Sequence, residues 1–171
     1  KGNKGAISDV VAIQSKRTDK PLTEEELQKL AGLDFVKRLY TEVLDRNADP
    51  IGLKDWSEQL LNGTKQGAEV ARGFIDSKEL QDRALTNTDF IIMLYHTFFD
   101  REPDEIGMKY WKEMLESGMS RTYVFRGFAE SIEFTKICEK YGIIRGKVDL
   151  TEPMDQNEGV TRFVVRCYRL C

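Results

Sequence analysis

Residues 35–56 read FVKRLYTEVLDRNADPIGLKDW and residues 90–111 read FIIMLYHTFFDREPDEIGMKYW, so one pattern occurs twice in the chain. The phenylalanines that open the two copies, Phe35 and Phe90, are 55 positions apart. A third copy opens at Phe163 as FVVRCYRLC and ends at Cys171, before its loop and second helix. The sequence therefore predicts a piece of a tandem array whose repeat is about 55 residues long.

Each copy shows the spacing of amphipathic helices. Apolar residues at i, i+3, i+4, i+7 and i+8 form a first stripe: Val36, Leu39, Tyr40, Val43 and Leu44, repeated as Ile91, Leu94, Tyr95, Phe98 and Phe99. A second stripe comprises Leu53, Trp56 and Leu60, repeated as Met108, Trp111 and Leu115. Arg-Gly-Phe at 72–74 and 126–128 marks a third helix, and Ser77 and Ser131 cap a fourth. We predict an all-α fold in which each repeat is a small bundle of three to four helices.

These patterns divide the chain into five segments. They are an N-terminal extension at 1–32, which is the remnant of a preceding repeat, repeat 1 at 33–86, repeat 2 at 87–141, a linker at 142–161 and the truncated start of repeat 3 at 162–171. Within the extension, Thr23 and Glu26 form a capping-box pattern that predicts a short helix through Leu30. The linker is expected to be an ordered loop or short strap.

Composition excludes several classes of protein. The 171 residues are 40% hydrophobic and 32% charged, and 26 Lys and Arg against 29 Asp and Glu give a net charge of −3. Because both signs are interspersed, no basic stripe for phosphate backbones stands out, and we predict no nucleic-acid partner. No apolar run approaches the roughly 20 residues that span a bilayer, so no membrane span is expected in this fragment.

The loop between the first two helices carries the most distinctive motif, R-x-x-D-x-x-G-x-x-x-W. Its members are Arg46, Asp49, Gly52 and Trp56 in the first copy, and Arg101, Asp104, Gly107 and Trp111 in the second. A structural role accounts for the polar members: the Asp caps the second helix, with Pro50 at its first position, and the Arg covers the end of the first helix and pairs with that Asp. The Gly lets the helix approach its neighbour.

A cation site is the alternative interpretation of this loop. Acidic and amide side chains alternate as in the first half of an EF-hand: Asp45, Asn47 and Asp49, then Asp100, Glu102 and Asp104. The second half of an EF-hand is absent, since its sixth position needs Gly and holds Pro50 or Glu105, while its twelfth holds a Trp. The structural interpretation is preferred, with an irregular calcium site left open.

Aromatic residues have two possible roles. Tyr40, Tyr95 and the two Trp residues lie on the apolar stripes, so we predict core positions, with sugar-stacking platforms as the alternative. Gly73 and Gly127 precede a Phe within the third helix, which indicates close helix contact. Tyr110 and Tyr123 lack aromatic counterparts in the first copy and are the candidates for an exposed ligand contact.

Residues for catalysis are few. The only histidine is His96, and Thr41 replaces it in the other copy, so no repeated Cys-His or Ser-His pair exists. We predict no catalytic residue, no metal site and no cofactor, and hence no enzyme. The three cysteines, Cys138, Cys167 and Cys171, occupy apolar positions and are expected to act as small buried hydrophobes.

The pattern F-V-x-x-L-Y-x-x-x-L-x-R-x-x-D-x-x-G-x-x-x-W, followed by G-F-x-x-S-x-E-F, resembles the bacterial domain of unknown function 4214. The resemblance covers residues 33–141 in two copies and the start of a third. It implies a small helical module that occurs in tandem in secreted and cell-surface bacterial proteins, with a distant likeness to the phycobilisome linker domain. Asp45 and Asp100 depart from the family pattern, in which Gly is frequent before the Arg.

Two functions are compatible with this resemblance. The first is a non-catalytic spacer or adaptor that contacts another protein, and the second is a carbohydrate-binding module of a surface enzyme or adhesin. The expected partner is accordingly a protein or a surface polysaccharide, and the expected location is secreted or at the cell surface. The apolar face of the truncated third repeat, with Val164 and Tyr168, predicts packing on the second unit or self-association.

Overall fold

The computed structural model describes residues 23–148, which fold into eight α-helices and no strand. In chain order these helices are α1 (Glu24–Leu44), α2 (Pro50–Leu61), α3 (Gly67–Ile75), α4 (Lys78–Asp82), α5 (Asn87–Phe99), α6 (Glu105–Glu116), α7 (Arg121–Ala129) and α8 (Ile132–Lys140). Helices α1–α4 and α5–α8 are two sets of four in the same order, which confirms the all-α tandem repeat. Residues 1–22, the linker beyond 148 and the third copy, with Cys167 and Cys171, lie outside the described residues.

Local side-chain chemistry begins and ends these helices. The hydroxyl of Ser77 accepts the Leu80 N–H at 3.2 Å, and the hydroxyl of Ser131 accepts the Phe134 N–H at 3.0 Å. Both serines therefore cap the fourth helix of their repeat as predicted. Beyond α2, Gly63 adopts a left-handed conformation with φ of +73°, which favours a glycine just past a helix end.

Helix α1 is longer than the sequence predicts. The capping box is confirmed, because the Thr23 hydroxyl accepts the Glu26 N–H at 3.2 Å and the Glu26 carboxylate accepts the Thr23 N–H at 3.0 Å. The predicted end at Leu30 is wrong, since the helix continues to Leu44 and crosses the predicted boundary at residue 32. Gly32 is buried, and a Cβ there would lie 3.8 Å from the Leu61 side chain, so this position packs closely against α2.

Aromatic rings fill the core of repeat 2. Phe128 of α7 lies 5.1 Å from Tyr95 and 5.0 Å from Trp111, centroid to centroid. Trp111 is only 1% exposed and Tyr95 is 1% exposed, so both predicted core positions are confirmed. In repeat 1, Tyr40 is buried and Trp56 is partly buried against Phe74 at 5.5 Å.

The two repeats share this core. Phe134 of α8 is fully buried, with its ring 6.3 Å from Phe35 of repeat 1 and 4.7 Å from Phe98 of repeat 2. Beside these rings the guanidinium of Arg38 donates to the Thr97 carbonyl at 3.2 Å and pairs with Asp100 at 3.0 Å. Apolar and polar contacts therefore both join the repeats.

Residues 142–148 cross back from repeat 2 onto repeat 1. The carbonyl of Ile144 accepts the Gly67 N–H at 2.8 Å, and that of Arg145 accepts the Ala68 N–H at 2.7 Å. These bonds satisfy donors of the first turn of α3 that the helix itself leaves unpaired. This part of the predicted linker is an ordered strap, and we call residues 142–148 the strap.

Cys138 is enclosed between the strap and the repeats. It is 1% exposed, and burial raises the pKa of its thiol to about 12, so the thiol stays protonated at neutral pH. The prediction that it acts as a small buried hydrophobe is confirmed.

Candidate functional site

The loop after α1 and its counterpart after α5 cap the helices that follow them. The Asp49 carboxylate accepts the Gly52 N–H at 2.8 Å, and the Asp104 carboxylate accepts the Gly107 N–H at 2.8 Å. Pro50 occupies the first turn of α2, where its missing N–H leaves no bond unmade. The capping role predicted for both aspartates is confirmed.

In repeat 1, Arg46 links this cap to the fourth helix. Its Nε and Nη2 donate to the two carboxylate oxygens of Glu79 at 2.5 and 3.0 Å. Its Nη1 lies 3.6 Å from Asp49 and donates to the Asn47 carbonyl at 3.0 Å. Pairing with the capping Asp was predicted and is confirmed, but the carbonyl that Arg46 covers lies in the loop and not at the end of α1.

Repeat 2 reproduces the arrangement. Arg101 donates to Glu133 through Nε at 2.9 Å and Nη2 at 3.1 Å, and its Nη1 lies 3.2 Å from Asp104. The same Nη1 donates to the Glu102 carbonyl at 3.2 Å. Bidentate guanidinium–carboxylate pairs are geometrically demanding, so their recurrence identifies one structural unit, which we call the clamp.

Sequence reasoning missed the glutamates of the clamp. Glu79 and Glu133 hold the same place in the recurring S-x-E segment, and this recurrence was the only available signal. Each glutamate is more than 30 positions from its arginine along the chain, so no local periodicity relates them.

A tyrosine lies under each clamp. A Cβ placed on Gly52 would be 2.1 Å from Tyr40 Oη, and one on Gly107 would be 2.0 Å from Tyr95 Oη. Only glycine admits such an approach, which confirms the prediction that these positions bring α2 and α6 close to their neighbours. The guanidinium carbons of Arg46 and Arg101 lie 4.7 and 5.0 Å from the centroids of the same Tyr rings, within cation–π range.

The tryptophans of the motif press on the third helix. A Cβ at Gly73 would lie 2.6 Å from Trp56 Cη2, and one at Gly127 would lie 2.6 Å from Trp111 Cη2. Close contact at both glycines is thereby confirmed. Every member of the repeated motif therefore contacts another part of its own repeat.

The acidic residues of the loops face separate partners. Asp100 lies 3.0 Å from the Arg38 guanidinium and 3.7 Å from Lys140, and Asp45 lies 3.7 Å from Arg83. Between residues 23 and 148, no group of three His, Cys, Asp or Glu side chains is placed to hold a metal ion. The half-EF-hand spacing thus does not converge on one centre in that range.

Tyr110 and Tyr123 are less exposed than the sequence suggested. Both are half-buried, and the Tyr110 ring packs edge-on against Trp111 at 5.0 Å. The hydroxyl oxygen of Tyr110 is shielded from solvent. Neither ring stands out as a platform, and a ligand role for them stays a prediction.

His96, the single histidine, belongs to the surface of α5. Its Nε2 lies 2.8 Å from the Glu102 carboxylate, and the imidazole is 36% exposed. The imidazole is thus partly exposed and paired with a loop carboxylate.

Electrostatics of the clamp favour the ionised carboxylates. The Gly52 N–H holds the pKa of Asp49 below its ordinary 3.8, with smaller contributions from Tyr40 and Arg46. The Arg46 guanidinium lowers the pKa of Glu79 from its ordinary 4.5 by donating hydrogen bonds to it. Burial and the neighbouring Asp49 raise the pKa of the Tyr40 phenol.

The lowered pKa values predict loss of stability in acid. A carboxyl whose pKa is lower in the folded chain stabilises the fold above its unfolded value, and this stabilisation is lost as pH falls through the folded value. We expect the free energy of unfolding to decline below about pH 4.5, and Glu79→Gln to flatten this decline. Urea titrations at successive pH values measure it, with Glu58→Gln on the exposed face of α2 as control. An unchanged acid decline in Glu79→Gln would contradict the role of the clamp.

Comparison with known proteins agrees with the repeat. The family model described as Domain of unknown function (DUF4214) matches residues 21–84 and again residues 81–138. The chain matches no curated protein and no solved structure. No helix in the described range is both long and apolar enough to cross a bilayer. Two consecutive matches that together cover more than half of the chain show that it belongs to the DUF4214 family, as a tandem pair of its helical domains.

Proposed function

We propose that this chain is a non-catalytic helical repeat module of a secreted or cell-surface bacterial protein, where it acts as a spacer or adaptor for protein contact. The observation that supports this most is the internal use of the repeated motif. Arg46 pairs with both Asp49 and Glu79, and Arg101 pairs with both Asp104 and Glu133. Recurrence of these residues thus follows from folding, and no turnover chemistry is needed to account for it.

A spacer must hold its ends at a fixed separation. The buried ring of Phe134 between Phe35 and Phe98, and the bonds of Arg38 to α5, oppose bending between the repeats. Inter-repeat contacts of this kind make a stack of repeats stiff. The compartment is part of the proposal and derives from the resemblance of the repeats to modules of bacterial surface proteins.

The distance between two spin labels tests the spacer role. Lys54 and Lys109 occupy equivalent exposed positions in α2 and α6, with 74% and 76% of their side chains accessible. Labels on Lys54→Cys/Lys109→Cys, with Cys167 and Cys171 replaced by Ser, are expected to give one narrow distance peak. Lys54→Cys/Lys78→Cys, both within repeat 1, gives the width due to the label alone.

Two results would contradict the proposal. A distance distribution much broader than the control would show a hinge between the repeats and remove the spacer role. Hydrolysis of a wall polymer or peptide by the purified chain would contradict the proposal that the module is non-catalytic.

A carbohydrate-binding module is the second candidate. Tyr110 and Tyr123 offer it little support, because both are half-buried. What favours it is an open groove of repeat 1 beside the strap, in which Arg145 and Lys147 meet no carboxylate partner among residues 23–148. A glycan array measures this candidate directly: specific binding of a sugar supports it, and the absence of any binding removes it.

A further inference from the structure

Two adjoining recesses form a groove along α3. The larger, about 530 Å³, is lined by Gln66, Glu69, Ile144, Arg145, Gly146 and Lys147. The smaller, about 290 Å³, is lined by Lys65, Glu69, Arg72, Gly73, Asp76 and Val148. Glu69 borders both, so the two recesses adjoin beside the strap, and we call the pair the strap groove.

The strap groove has an excess of positive charge in a chain whose net charge is −3. Four cationic and two acidic side chains line it. Both acids are engaged: Glu69 accepts the Gln66 N–H at 2.8 Å, and Asp76 pairs with Arg72 at 2.9 Å. Apart from the Arg72–Asp76 pair, Lys65, Arg145 and Lys147 outnumber the single carboxylate of Glu69, and an excess of positive charge in a cleft concentrates anions.

The fold holds the Lys65 ammonium and the backbone that carries Arg145 and Lys147. The Lys65 ammonium lies 4.9 Å from the centroid of the partly buried Trp56 ring. The strap that carries Arg145 and Lys147 is fixed by its two hydrogen bonds to the first turn of α3, and Val148 beyond them is 4% exposed. Groups that are already ordered lose less conformational entropy when a ligand binds.

Repeat 2 differs from repeat 1 at the start of its third helix. At the position that corresponds to Gly67, α7 has Arg121, whose guanidinium donates to the Leu85 carbonyl at 2.6 Å and lies 3.2 Å from Asn87. The first residue of α7 is therefore tied to the segment around the start of α5, whereas the first turn of α3 is covered by the strap. Arg145 and Lys147 of the strap groove lie outside the repeated motif, so a search for recurring residues passes over them.

We propose that the strap groove binds an anionic polysaccharide of the uronic-acid class, with its carboxylates on Arg145, Lys147 and Lys65. The lining combines these charged groups with apolar surface from Ile144 and Val148. The class of ligand rests on the second candidate function. The position of the groove rests on the geometry alone.

Calorimetric titration with oligogalacturonate tests the proposal on the full chain. We expect binding that weakens as salt rises, because exposed charges are screened. Arg145→Glu/Lys147→Glu is expected to weaken it by more than about tenfold, since two attractions become repulsions. The control is Lys109→Glu/Lys112→Glu on α6, which makes the same charge change at exposed residues away from the groove and is expected to leave affinity within about twofold.

Fully methyl-esterified oligogalacturonate is the uncharged probe, and it is expected not to bind. Equal losses of affinity in the two double variants would show general charge attraction without a defined site, and would overturn the proposal. Equal binding of the methyl ester, or no binding by the parent chain, would overturn it as well. Circular dichroism of each variant confirms that it is folded. A negative calorimetric titration does not affect the spin-label distances or the array results. If the array shows a sugar that binds elsewhere on the chain, the carbohydrate-binding function is kept and only the proposal for the strap groove is rejected.

Discussion

Replacing Trp111 by alanine is expected to lower the free energy of unfolding by about 3–5 kcal/mol, the range for removing a large buried aromatic ring. Trp111 is 1% exposed, lies 5.0 Å from Phe128 and presses on Gly127. The backbone of α7 cannot collapse fully into the space that the indole leaves, so a cavity adds to the lost transfer energy. Denaturant unfolding followed by circular dichroism measures the change.

Trp56→Ala is the matched comparison, because Trp56 has the equivalent place in repeat 1 but is only partly buried. Part of its ring surface is already hydrated in the folded chain, so its removal is expected to cost less than that of Trp111. Equal losses, or a larger loss for Trp56, would show that the difference in burial between the repeats has no energetic consequence.

Phe134→Ala is expected to cost a similar 3–5 kcal/mol or so. Its ring has no solvent exposure and lies between Phe35 and Phe98, so its loss weakens repeat 2 and the contact between the repeats together. The measurement is again the denaturant midpoint at constant slope.

Ile132→Ala on the same helix is the control for Phe134. Ile132 is 63% exposed, and we expect its replacement to change stability by less than about 0.5 kcal/mol. A Phe134→Ala variant as stable as this control would mean that the ring contacts of α8 do not hold the repeats together.

Helix starts and repeat units were predictable from the sequence because their causes are local. Thr23, Asp49, Ser77 and Ser131 cap helices through N–H groups three positions away, which a one-dimensional pattern reveals. The glycines of the motif were likewise predictable, since two copies made their recurrence visible.

Contacts between distant segments were not predictable. Nothing near Arg46 in the chain indicates Glu79, and nothing near Gly67 indicates that the Ile144 carbonyl will bind its N–H. The end of α1 was not predictable either: the helix expected to stop at Leu30 continues to Leu44, and Gly32 inside it lies against Leu61.

The half-burial of Tyr110 and Tyr123 was not predictable for a related reason, and a ligand role for them stays a prediction. The lack of an aromatic counterpart in the other copy does not reveal whether a side chain packs on a neighbour in its own copy. Tyr110 packs on Trp111, whereas the corresponding Asp55 of repeat 1 is exposed.

The shared core predicts that the two repeats unfold as one cooperative unit. The chain has two tryptophans, one in each repeat, so each indole reports on the unfolding of its own repeat. Trp111→Phe leaves Trp56 as the probe of repeat 1, and Trp56→Phe leaves Trp111 as the probe of repeat 2. In equilibrium denaturation of both variants, the fluorescence transition is predicted to coincide with the far-ultraviolet dichroism transition, which senses all helices. Fluorescence that changes at a clearly lower denaturant concentration than the dichroism, in either variant, would contradict a shared core.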